Sequence, residues 1–263
     1  MTPLLDAAQD HDLDVQIRDE YINIYHGGLS VLQLRRYHEG RYVAEIDRNL
    51  VGGVTLPGER CSAGRRAAFN VGFAFVEQYL RQLQVLTRNA DARIREERAA
   101  EGMLVRNSVQ ANSPMVIIDR QVSVTGVKGI ADVVGVVRSG DPRFIIGEVK
   151  YGLNNDIQNI PEQVGDYYNT FTEPDGYLTK NATDVYRRVV EQKHVLGLLP
   201  GDLTFPPGRP RVECLAILCD YNPRSTLLDR ARNAALGCPF TIYVVQPDGP
   251  DYRIPPLDEW ELL

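Results

Sequence analysis

GIADVVGVVRSGDPRFIIGEVKYG, residues 129–152, followed by QVGDY at 163–167, decides how this chain is read. FIIGEVKY has the composition of a buried strand. Glu148 and Lys150 are two apart, so on a strand both side chains point to one face and Val149 to the other. An acid and a lysine in the apolar middle of a strand are costly unless they pair with each other or bind something.

Working outward, three strand candidates follow in close succession: MVIIDRQVSV (115–124), GIADVVGVV (129–137) and RFIIGEVKY (143–151). Short Gly-bearing turns separate them, which predicts an antiparallel meander. A helix is expected over 158–171, with Pro161 in its first turn and Ile160, Val164, Tyr168 and Phe171 on one side. Thr183 opens a second, running to about Leu199. ECLAILCDY (213–221) reads as a buried strand, Asn222-Pro223 starts a helix that stops at Gly237, and TIYVVQP (241–247) reads as a last strand. Three antiparallel strands feeding a βαβ unit imply a mixed central sheet flanked by helices, an α/β (α+β) class.

Upstream, residues 14–47 alternate in polarity between turn signals, which predicts an antiparallel β-meander. Gly52-Gly53 and Pro57-Gly58 close it, giving an N-terminal β extension at 1–58 and a main domain at 59–263. Ser62 is the expected cap of a helix over about 64–86, with Phe69, Gly72, Val76, Tyr79, Leu80, Leu83 and Leu86 as its apolar stripe. A polar helix near 90–105 is expected to present a solvated face.

The bulk composition narrows the function classes. The chain has 263 residues, 43% hydrophobic and 24% charged, as in an ordinary globular protein. No apolar run is long enough for a membrane span, and the acidic first residues lack the pattern of a signal peptide. Cys61, Cys214, Cys219 and Cys238 lack CxxC spacing and are expected to be reduced thiols of a cytoplasmic protein. The net charge of −6 argues against a generic polyanion binder. Yet residues 35–106 hold 13 Arg against 9 acids, and Arg35, Arg36, Arg65 and Arg66 are candidates for DNA-backbone contacts, with a mixed solvated surface as the alternative. Gly-rich phosphate loops, GxSxG, HExxH and zinc spacings are absent from the sequence, and the four histidines are scattered.

The chemistry then falls on Asp132, Glu148 and Lys150. If the second and third strands pair as a hairpin, the two carboxylates converge at one end of the sheet. Two carboxylates with room for water suit Mg²⁺, and the Val149 carbonyl could be a third ligand. Lys150 would position or deprotonate an attacking water and stabilise developing negative charge. Gly129 and Gly147 would let a backbone or ligand approach. The alternative is a structural ion pair of Lys150 with Glu148 or Asp132.

GIAD ending at Asp132, GEVK at 147–150 and QVGDY at 163–167 together resemble the PD-(D/E)xK (restriction-endonuclease-like) nuclease superfamily, in its RecB-like branch. That pattern is Gly-x-x-Asp, then Asp/Glu-x-Lys, then Gln-x-x-x-Tyr on a following helix. All three occur here in order, 16 residues from Asp132 to Glu148 and 13 from Lys150 to Gln163, over a resembling region of about 62–247. The resemblance implies a restriction-endonuclease-like core and metal-dependent hydrolysis of DNA, rather than RNA. Asp132 and Glu148 are then metal ligands, Lys150 is catalytic, Gln163 helps to organise the site and Tyr167 supports it. Mg²⁺ is the implied cofactor, with Mn²⁺ able to substitute. Cutting both strands would suggest a homodimer. The branch often has an upstream His, which is missing here. Glu77 is the candidate auxiliary ligand in its place, against a surface Glu paired with Arg81. Glu97 and Glu101 are further alternatives on a helix that gives them no reason to point inward. The competing functional class is an inactive nuclease-like module that binds nucleic acid or protein.

Overall fold

The computed structural model describes residues 2–10, 13–18, 21–37, 41–60, 64–123, 130–138, 143–172, 183–205, 208, 210–247 and 249–263. The expected cap Ser62, Cys61 and Gly129 lie outside them. The described residues form a mixed α/β protein with two six-stranded sheets and six helices, in two compact units, Met1–Gly102 and Met103–Leu263. No described helix is long and apolar enough to cross a membrane.

The first unit opens with α1 (Thr2–Asp10). Its antiparallel sheet is built from β1 (Asp14–Ile17), β2 (Tyr21–His26), β3 (Leu29–Arg36), β4 (Tyr42–Asp47), β5 (Glu59–Arg60) and β6 (Arg66–Asn70), in the order β1-β2-β3-β4-β6-β5. The expected meander is present, but the unit extends well past residue 58. The reason is β6. Residues 66–70, expected to begin a helix, instead alternate exposed and buried and pair with β4 from Val43↔Asn70 to Asp47↔Arg66. Phe69 is therefore a strand residue, and the helix α2 (Phe73–Asp91) starts after Gly72. Its stripe of Phe75, Tyr79, Leu83 and Leu86 is buried, and the Phe75 ring lies 5.6 Å from that of Phe69. α3 (Glu96–Ser108) is also not simply solvated: Ala100, Glu101, Leu104 and Val105 are buried.

The second unit follows the expected order. β7 (Met115–Ser123), β8 (Ile130–Val137) and β9 (Arg143–Tyr151) pair antiparallel. α4 (Ile160–Thr172) and α5 (Thr183–Val195) lead to β10 (Arg211–Cys219), which lies parallel to β9. α6 (Leu227–Ala235) connects to β11 (Ile242–Val245), parallel to β10, and a short β12 (Glu261–Leu262) finishes the edge. The sheet order is β12-β11-β10-β9-β8-β7. Ile160, Val164 and Phe171 of α4 and Tyr186 and Val190 of α5 share one core with Val134, Val136, Phe144 and Ile146 of the sheet. The opposite face is apolar as well, with Val133, Ile145, Val149 and Ile217 buried. Near-continuous apolar strands are what a sheet covered on both faces requires.

Gly147 belongs to that second face. A Cβ there would stand 2.6 Å from Val133 Cγ2 and 3.4 Å from the Leu215 carbonyl. Its role is close packing beneath Glu148, on the side away from the acid, rather than ligand approach. Gly147→Ala should therefore cost about 1–3 kcal/mol by overpacking. A lowered urea midpoint would show this, and an unchanged midpoint would show that Val133 gives way freely.

Candidate active site

The register of β8 against β9 builds the site. Val134 pairs with Ile146 and Val133 with Gly147, so one further step sets Asp132 opposite Glu148. Residues opposite each other in an antiparallel pair share a face. That face is the one carrying Val134, Phe144 and Ile146, under α4. The Val149 amide donates to Asp132 Oδ2 at 2.9 Å, so the aspartate side chain holds the next strand directly. Lys150 Nζ donates to Glu148 Oε1 at 2.5 Å, with both residues buried.

α4 adds the third wall. The Tyr167 phenol lies close enough to Glu148, Asp132 and the Ile130 backbone for all three to act on it, which sets the helix against both strands. Burial, reinforced by the charges of Glu148 and Asp132, pushes the Tyr167 phenol well above its ordinary range, so it stays protonated. Gln163 stands one helical turn earlier. Its Oε1 is buried and accepts no hydrogen bond from the described residues. Asp132, Glu148, Lys150 and Tyr167 are thus brought together, with Gln163 on the same helix.

The remaining candidates fare differently. Glu77 belongs to the first unit and is exposed on α2, bonded to Arg81 at 2.6 Å; this is the surface i,i+4 pair weighed against its ligand role. Among the described residues, no group of three or more His, Cys, Asp or Glu side chains is placed to share a metal ion. The donor set is therefore two carboxylates, an uncommitted buried amide oxygen on α4 and main-chain oxygens such as that of Val149. An all-oxygen set with net negative charge fits Mg²⁺, which binds through one or two carboxylates and keeps several waters.

His26 is bonded to Asp91 at 2.7 Å and His194 to the Leu203 carbonyl at 2.7 Å, so neither joins the group. Arg65 is bonded to Asp47 at 2.7 Å, and Arg66 and Arg35 lie 3.3 and 4.0 Å from Glu45, a mixed surface of compensated charges. Cys214 and Cys219 are buried, and burial pushes the Cys214 thiol up.

No protein-family model, curated protein or solved structure matches this chain.

Sequence reasoning missed one participant. Gln121 Nε2 donates to Asp132 Oδ1 at 3.0 Å. A glutamine in MVIIDRQVSV carries no signal of this, because its partner depends on strand register.

Removing one member of a buried ion pair leaves the other charge stranded. Lys150→Ala, measured by urea unfolding in chelator, should lose about 3–5 kcal/mol, and adding Glu148→Gln should restore part of it. A loss below about 1 kcal/mol would put the pair in the class of solvated surface bridges.

Proposed function

We propose that this chain is a metal-dependent nuclease with a restriction-endonuclease-like core, hydrolysing DNA phosphodiester bonds with a metal-activated water. The observation that carries the reading is the convergence of Asp132, Glu148 and Lys150 on one sheet face beneath Tyr167. The strand and helix order, β7-β8-β9-α4 and then the parallel β10, supports it.

Asp132 and Glu148 would hold Mg²⁺, with Mn²⁺ as a substitute. When bound, the metal lowers the pKa of a coordinated water and offsets phosphate charge. Lys150 is the cation already beside Glu148. On this reading it orients the attacking water and stabilises the charge that grows on the phosphate oxygens. Tyr167, kept protonated, fixes the Glu148 carboxylate from above. Gln163 offers its amide to the site or to the nucleic acid. Two-strand cleavage calls for two such sites, as in a homodimer with two-fold symmetry.

One observation favours a second reading. Lys150 already donates to Glu148 Oε1 at 2.5 Å, and Asp132 is bonded through both oxygens. An inactive nuclease-like module that binds nucleic acid or protein would look the same.

Thermal melting separates the two. A ligand that binds only the native state adds about 2.7 kcal/mol at a hundred times its dissociation constant. Saturating Mg²⁺ or Mn²⁺ should raise the melting temperature of the wild-type protein and not that of Asp132→Ala. Asp132→Ala and Lys150→Met should both remain folded and lose Mg²⁺-dependent DNA cleavage. Cleavage that persists in either variant would overturn the proposal, and a wild-type protein indifferent to both metals would favour the module.

A further inference from the structure

The strand that presents Gln121 is irregular at two places. Met115 pairs with Val137, Val116 with Val136 and Ile117 with Gly135, but the next pair is Asp119 with Val134. Ile118 is the extra residue of a β-bulge. Carried on unbroken, the first register would set Gln121 opposite Ala131. After the bulge, Arg120↔Val133 and Val122↔Ala131 bracket Gln121 and Asp132 as opposite residues. The bulge is held from outside the sheet: Lys193 Nζ, buried on α5, donates to the Ile118 carbonyl at 2.7 Å.

The second irregularity is Gln121 itself, whose φ of 50° lies in the left-handed region that non-glycine residues rarely adopt. Among the described non-glycine residues only Asp220 and Tyr252 share such a conformation. They are bonded to each other, Tyr252 hydroxyl to Asp220 Oδ2 at 2.7 Å, with Asp220 directly after the end of β10. β7, β9 and β10 run in the same direction, so Gln121, Lys150 and Asp220 stand at one end of the sheet. Backbone strain of this kind persists where the surroundings enforce it, and it concentrates at functional sites.

We infer that Gln121 is a positioning residue for Asp132, aimed by the Ile118 bulge and its Lys193 anchor. The inference rests on the nuclease reading for its catalytic consequence and on geometry alone for the positioning. Gln121 Nε2 holds Oδ1 and the Val149 amide holds Oδ2. Two donors on two oxygens fix the rotation of the carboxylate, leaving its outward lone pairs in one direction. Outer partners of this type tune metal affinity or rate by about 10–100-fold.

Two variants test it. Gln121→Gly accepts the left-handed backbone without steric cost and removes the amide. Gln121→Glu keeps the length and removes the donors. Hydrogen exchange at the Val149 amide, relative to Phe144–Ile146, reports the Asp132 carboxylate without reference to activity. In both variants it should accelerate at least about tenfold, and kcat for Mg²⁺-dependent DNA cleavage should fall about 10–100-fold. The melting temperature of Gln121→Gly should equal or exceed the wild type. Unchanged Val149 exchange overturns the positioning role whatever the activity. Accelerated exchange in a family of variants whose wild-type parent cuts no nucleic acid supports the positioning and defeats the nuclease reading. Accelerated exchange with undiminished kcat in an active enzyme overturns the catalytic consequence.

Discussion

The hydrogen bond from the Val149 amide to Asp132 Oδ2 is the contact on which the site depends. It replaces a strand-to-strand main-chain bond by a strand-to-side-chain bond at the point where β8 begins. That substitution fixes β9 against β8 and orients the carboxylate in the same act. Glu148 and Lys150 then emerge on either side of the anchored Val149, on the face beneath α4. Without that anchor the pair would still be buried and the register still held by the pairs from Val136↔Phe144 to Val133↔Gly147, but the Asp132 carboxylate would be free to turn away from the pair. Because side chains alternate with period two, a slip of one residue would turn Glu148 and Lys150 to the opposite face.

Around this contact the structure concentrates costly features. An acid and a lysine are buried. A phenol is held protonated against two carboxylates. Three of the described non-glycine residues take left-handed backbone, and Gln121 and Asp220 sit at the sheet end that carries Lys150. None of these is needed to pack the sheet, whose apolar strands already bury both faces. Natural folds place such departures where function requires them. The same logic separates Glu148 from Glu77: an exposed glutamate bonded to its i+4 arginine costs the fold nothing and points to no chemistry.

The second sheet was legible because its strands are short apolar runs bounded by turn residues, and because Glu148-x-Lys150 fixes which residues share a face. The helices after β9 were legible from Pro161 and from the spacing of Val164, Tyr168 and Phe171. The start of α2 was not. Ala67 and Phe69 fit a helical stripe and a strand alternation equally well over so few residues, and pairing with β4 decided between them. The same pairing keeps β6 in the first unit, which runs to Gly102, past the boundary expected after residue 58. Glu101 reads as a surface residue by type and is buried in place. Gln121 was beyond reach for a sharper reason: its alignment with Asp132 exists only because Ile118 is inserted into the ladder, and a bulge is a property of two strands together.

The most direct test of the central claim is incubation of the purified wild-type protein with linear, circular and single-stranded DNA and with RNA. Each substrate is given Mg²⁺, Mn²⁺ or chelator, and the products are resolved by size. The account predicts cleavage of DNA in both metals, in preference to RNA, and none in chelator. DNA left intact in both metals, or cut equally well in chelator, would contradict it.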